Sequence, residues 1–288
     1  MNISIDPMHL WQISRRFWVR FQDADPGLMA AAVAFNAFLA SVPLAIAFAA
    51  AGSLVGASGE GLARTKEALD LVAPAEVADF IIDLLTRTAE LVDGQQWWII
   101  IVSALVAVYS GSRGLNALQK ALRRIDHMDE RRTTWTRRLV AIGLTLAGGL
   151  ALVALIVALV LTEPVAEFFE KLTRIVVLTQ VWAWLRFPVA AGVVYLYLLA
   201  VYHFGPPRPI PSTSIAAAVG TVVALAASFG FGIYLSVFGL SGTFGVLGAV
   251  GVGLLWLYFT AYAILFGAAV VSFRQVVRSG SGHQATEG

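Results

Sequence analysis

Apolar residues gather into long runs separated by polar stretches. The first run is Leu28 to Gly56, the second Trp97 to about Gly114, and the third Leu139 to Thr162, ended by Glu163 and Pro164. A fourth covers about Phe187 to Phe204. Pro188 falls in its first turn, where proline is tolerated. From Pro209 to Phe273 no residue is charged. That stretch is too long for one crossing and right for two. The glycine- and serine-rich segment Gly239 to Gly245 is the natural break. The fifth and sixth runs are then about Ser212 to Phe238 and Val246 to Phe273. A helix of about 20 apolar residues crosses a bilayer. The pattern therefore predicts an all-α integral membrane protein with six transmembrane helices.

Three further segments read as interfacial amphipathic helices. Near the N-terminus, Leu10, Ile13, Phe17 and Phe21 form a helical stripe beside Arg15, Arg16 and Arg20. A basic amphipathic helix of this kind lies on an anionic leaflet. Between the first two runs, Pro74 opens a helix with Val77, Phe80, Ile81, Leu84 and Leu85 on one face. Asp79, Asp83 and Arg87 rule it out as a span. A shorter piece around Phe168 to Val176 leads to Trp182 and Trp184, which suit an outer aromatic belt.

Loop charge sets the orientation. Arg15, Arg16 and Arg20, the cluster from Lys120 to Arg138, Arg208, Arg274 and Arg278 fall on one side. Arg64, Lys66, Arg87, Lys171 and Arg174 fall on the other. The bias alternates as six helices require and puts both termini in the cytoplasm. The expected organisation is a cytoplasmic amphipathic segment 1–27, a transmembrane domain 28–273 and a disordered cytoplasmic tail 274–288. Within the domain lie an outer loop 57–96 and a basic cytoplasmic loop 115–138. Residues 1–27 hold no signal-peptide core, so the first run is expected to act as an uncleaved anchor in a bacterial-type inner membrane. Residues 205–211, rich in proline, predict a stiff cytoplasmic connector.

Composition sharpens the picture by exclusion. Hydrophobic residues make up 58% of the chain and charged ones 13%, far from a soluble domain. The net charge of +2 gives no reason to expect nucleic acid as a partner. There is no cysteine, hence no disulfide or thiolate chemistry. No histidine pairs with another histidine or a carboxylate at metal-ligand spacing on a helix. Neither a Walker loop nor a nucleophile elbow is present. The sequence thus predicts no cofactor, no metal and no enzyme.

The second run holds the most informative polar residues. Arg113 lies 16 residues after Trp97, about 24 Å along a helix, near the inner edge of a core about 30 Å thick. Two readings stand. Arg113 snorkels to the inner headgroups, or it belongs to a site. If the helix continues, Arg113, Lys120 and Arg124 fall within about 20° of one line, with Asn116 about 60° away. Such a ridge suits an anionic lipid headgroup or another anion. Tyr109, Ser110 and Ser112 carry its polar character deeper. Asn36 is the deepest polar residue of the first run; it either holds helices together or contacts a substrate. Glycines of the last two runs, among them Gly220 and Gly267, permit close packing or a hinge.

Four stretches resemble the YihY/BrkB family of membrane proteins, some of which carry the label ribonuclease BN. They are DPGLMAAAVAF from Asp25 to Phe35, followed by Ser41 and Pro43; YSGSRGLNALQKALRR from Tyr109 to Arg124; YHFGP from Tyr202 to Pro206; and TFGVLGA from Thr243, with LWLY at Leu255 and LFGA at Leu265. The resemblance covers most of residues 15 to 275. It implies a six-helix inner-membrane protein with cytoplasmic ends, and it favours Arg113 and its neighbours as a site. Two positions depart from the family pattern. Asn36 stands where tyrosine is common, and Ala269 where glutamate is frequent. A mechanism that needs that carboxylate, such as proton coupling, lacks its group here.

The expected function is a permease or flippase-like transporter of a lipid or amphiphilic anion. The expected partners are membrane lipids, anionic headgroups in particular, with a homo-oligomer left open. Arg113, Lys120 and Arg124 would attract the headgroup, and Asn116, Tyr109 and Asn36 would complete the site. A small-anion channel using the same arginine and a non-transport scaffold are the alternatives.

Overall fold

Long apolar runs must satisfy their backbone groups internally in lipid, and a helix does this within one segment. The computed structural model describes residues 15, 17–19, 21–55, 59–70, 75–91, 97–126, 128–129, 132–160, 177–210, 212–238 and 245–284. Among these the protein is all-α, without a strand. After helical residues between 15 and 23 come α1 (Pro26–Val55), α2 (Gly59–Asp70), α3 (Ala75–Leu91) and α4 (Trp97–Ile125). There follow α5 (Thr134–Val160), α6 (Val177–Phe204), α7 (Thr213–Phe238) and α8 (Gly245–Gln284). Five helices contain stretches long and apolar enough to cross a membrane: Pro26–Leu44, Thr134–Leu155, Phe187–Phe204, Thr213–Leu235 and Val250–Phe273. The C-terminal half of the remaining long helix, α4, is polar and basic.

The six long helices close a ring. α1 packs on α4, α4 on α5, α5 on α6, α6 on α7, α7 on α8, and α8 returns to α1. Most of the buried core sits at one end of it. There Leu118, Leu122 and Ile125 of α4 meet Leu198 and Tyr202 of α6, Ala216 and Ala217 of α7, and Leu265 and Ala268 of α8. A smaller cluster of Phe231, Leu235 and Val252, with Ile81 and Trp256 against it, lies elsewhere in the fold. Large apolar side chains remain exposed along α1 (Leu28, Phe35, Leu39) and α5 (Leu139, Leu146, Leu150). Such surface is stable only against lipid or a partner.

Several expectations change on contact with the fold. Pro188 is not in a first turn. α6 begins at Val177, so the proline lies inside it and removes one backbone hydrogen bond. The tail from residue 274 was expected to be disordered, yet α8 runs on to Gln284; no proline interrupts it after Phe273. The N-terminal stripe does not face lipid where it is described. Phe17 stacks edge-on against Phe266 and Phe273, and Phe21, 2% exposed, meets Tyr262 and Phe266. An amphipathic stripe fixes which face is apolar, and α8 covers it. Leu10, Ile13 and residues 161–176 lie outside the described residues.

The outer amphipathic helix forms as α3, with Ala78 buried and Ile81 on the cluster of α7 and α8. α2 was not foreseen. Lys66 ties it to α3 through Asp79, and this hydrogen bond raises the lysine pKa above its ordinary value.

Candidate functional site

α4 is unbroken from Trp97 to Ile125, so residues seven and eleven apart share a line on it. Arg113, Lys120 and Arg124 are all exposed along that line, and Tyr109 continues it at 61% exposure. Its direction follows from the neighbours of α4. Gly114 lies on α1, where an added Cβ would stand 3.4 Å from the Asn36 Cβ and 3.6 Å from the Val33 carbonyl. Gly111 faces Thr145 of α5, and Ile125 lines a small niche with Ala269 and Phe273 of α8. At about 100° per residue, the basic line is roughly opposite Gly111 and beside α1. It therefore runs down the outer flank of the ring.

At its lower end the line enters an open groove of about 770 Å³ between the start of α1 and the end of α4. Lys120, Arg123 and Arg124 contribute its cations; Asp23, Asp25 and Asp129 contribute its carboxylates. Arg124 Nη1 is 3.7 Å from the Asp25 carboxylate. Local backbone chemistry fixes Asp25. Its N–H donates to the Gln22 carbonyl, ending the N-terminal helix, and its own carbonyl accepts from Met29 N–H, starting α1. Its φ of 49° belongs to the left-handed region, which aspartate tolerates better than most residues. One residue thus joins two helices at a sharp corner.

Arg113 stands eleven residues above Arg124, about 16 Å along the axis. Among the described residues no hydrogen bond or ion pair engages its side chain. α4 is about 43 Å long, longer than a hydrocarbon core of about 30 Å. The Asp25–Arg124 pair flanks the apolar stretch of α1.

The two asparagines are placed differently from the cations. Asn116 Nδ2 donates to the Ser112 carbonyl at 2.8 Å, and Asn36 Nδ2 to the Ala32 carbonyl at 2.7 Å. Each bonds its own helix. Asn36 belongs to the α1–α4 contact, where Ser110 Oγ donates to its backbone carbonyl at 3.4 Å. Spacing along one helix did not reveal Asp23, Asp25 and Asp129, which come from other segments. Nor did it separate Arg132, whose guanidinium caps α6 through the Phe204 carbonyl at 2.9 Å.

An all-α bundle with several bilayer-length apolar helices is an integral membrane protein. The chain belongs to the virulence factor BrkB family, whose model matches residues 17–287. A Bacillus subtilis (strain 168) protein, YfkH, described as ribonuclease-like, is 24% identical over 209 residues, covering 70% of this chain and 74% of its own. No solved structure matches the chain.

Proposed function

We propose that this protein carries a lipid or other amphiphilic anion between leaflets of a bacterial-type inner membrane, as a non-enzymatic permease or flippase-like transporter. It crosses the membrane six times, α4 being the sixth span, with both termini in the cytoplasm. The exposed line Arg113–Lys120–Arg124 on α4 carries this function. A cation inside the core is costly unless an anion or water accompanies it. A headgroup travelling along the line supplies that anion while its tails stay in lipid. A small-anion channel would use the same cations, but their place on the outer flank, beside lipid, favours the amphiphile.

The test is fluorescent-lipid transfer between leaflets of proteoliposomes. Wild-type protein is expected to exceed empty liposomes, with Arg113→Gln slower by about tenfold or more, the worth of one charge-assisted hydrogen bond. No transfer above empty liposomes, across several anionic and zwitterionic lipids and with an imposed ion gradient, would sink the proposal.

A further inference from the structure

Among the described residues the groove below the basic line carries both signs of charge. Lys120, Arg123 and Arg124 share it with Asp23, Asp25 and Asp129, three formal charges of each sign. A headgroup of net negative charge would meet as many of these carboxylates as cations. A headgroup carrying both signs would find a partner for each. We infer that the groove binds a zwitterionic phosphoethanolamine lipid headgroup, its phosphate on Lys120 and Arg124 and its ammonium on Asp25 and Asp129. This rests on the proposed lipid transport and names the headgroup class it begins with, its phosphate being the anion that the basic line carries.

Three observations support the assignment. The groove holds Asp25, the residue before an apolar membrane-length stretch that begins at Pro26, and the proposed six-span topology puts it at headgroup level. Met29 and Met128 line it beside the charges, giving apolar, adaptable surface for the glycerol and upper acyl carbons. The two signs also come from different elements, cations from α4 and carboxylates from the corner before α1 and the loop after α4. One molecule can therefore bridge them. The chemistry discriminates further. A primary ammonium offers three N–H donors to carboxylates. The trimethylammonium of phosphocholine offers none and is recognised by aromatic faces, and none of the described residues that line this groove is aromatic.

The test is native mass spectrometry of the full chain in detergent. It is incubated with equimolar phosphatidylethanolamine, phosphatidylglycerol and phosphatidylcholine of identical acyl chains. Wild type is expected to retain phosphatidylethanolamine about threefold or more over each of the others, a ratio within reach of one charge-assisted contact. Asp25→Asn with Asp129→Asn should bring phosphatidylglycerol to parity or above, and Lys120→Gln should weaken both phospholipids. Asparagine also tolerates the left-handed conformation, so the corner at Asp25 survives; a monodisperse elution profile and unchanged helical circular dichroism verify it. Equal or better retention of phosphatidylglycerol by wild type would overturn the assignment. So would an ethanolamine-to-glycerol ratio that the double variant leaves unmoved. Because binding is read at equilibrium, selective retention can stand if transfer fails, and transfer can stand if selectivity fails.

Discussion

Gly267→Ala is expected to lower the thermal midpoint of the detergent-purified protein by roughly 5–10 °C. A Cβ at Gly267 would stand 2.6 Å from the Gly220 Cα and 2.7 Å from its nitrogen. Both are backbone atoms, so no side chain can swing aside, and α7 must move from α8. Gly220→Ala meets a different obstacle. Its nearest neighbour is the Tyr202 hydroxyl at 2.5 Å, and that hydroxyl donates to the Ile264 carbonyl at 2.7 Å. Removing the oxygen should therefore rescue one substitution and not the other. Tyr202→Phe is expected to restore most of the loss from Gly220→Ala and none of the loss from Gly267→Ala. Gly230→Ala, with nothing within 4 Å of the added Cβ, serves as the control and should change the midpoint by no more than about 2 °C. Equal midpoints for Gly267→Ala and Gly230→Ala would refute the close crossing. Gly220 and Gly267 approach backbone on backbone beside the buried Tyr202, the packing role read for these two glycines.

Helix existence was legible because the bilayer fixes the length of apolar run that a span needs. The runs beginning at Leu28, Trp97, Leu139, Ser212 and Val246 all fall on long helices. Helix ends were less legible, since hydropathy marks where lipid stops and a helix does not end there. α6 starts ten residues before Phe187 for this reason, and α8 passes Phe273. Burial was legible only as polarity. The stripe of Phe17 and Phe21 is apolar for a good reason, yet nothing in its spacing distinguishes α8 from a leaflet as the surface it meets. The basic line on α4 could be read directly, because its members share one continuous helix. The carboxylates opposite it could not. Asp25 and Asp129 reach the groove through the ring closure of α1 on α4 and through the turn after Ile125, and no local pattern encodes either. Asn36 was legible as a polar residue in a span, but its local partner was not: its Nδ2 donates to the carbonyl four residues earlier.

Arg113→Glu distinguishes a deep arginine from one that snorkels to the headgroups. A carboxyl placed in hydrocarbon takes up a proton rather than remain charged. If Arg113 is deep, then under the proposed lipid transfer Arg113→Glu should behave at neutral pH like Arg113→Gln, slowing transfer about tenfold. Lys120→Glu gives the contrast. At the groove it stays hydrated and ionised, repels the phosphate that Lys120 is proposed to attract, and should fall at least about tenfold below Lys120→Gln. Salt separates them again. Raising ionic strength from 0.01 to 1 M shrinks the Debye length from about 30 to about 3 Å, so it should partly rescue Lys120→Glu and leave Arg113→Glu unchanged. A shallow Arg113, its head among hydrated phosphates, predicts the opposite pattern at that position. The glutamate would ionise, transfer would drop well below that of Arg113→Gln, and salt would restore part of it. Measured side by side in proteoliposomes, the four substitutions place the arginine without a structure of the membrane. A deep arginine makes a headgroup leave water to cross; a shallow one merely gathers lipid at the surface.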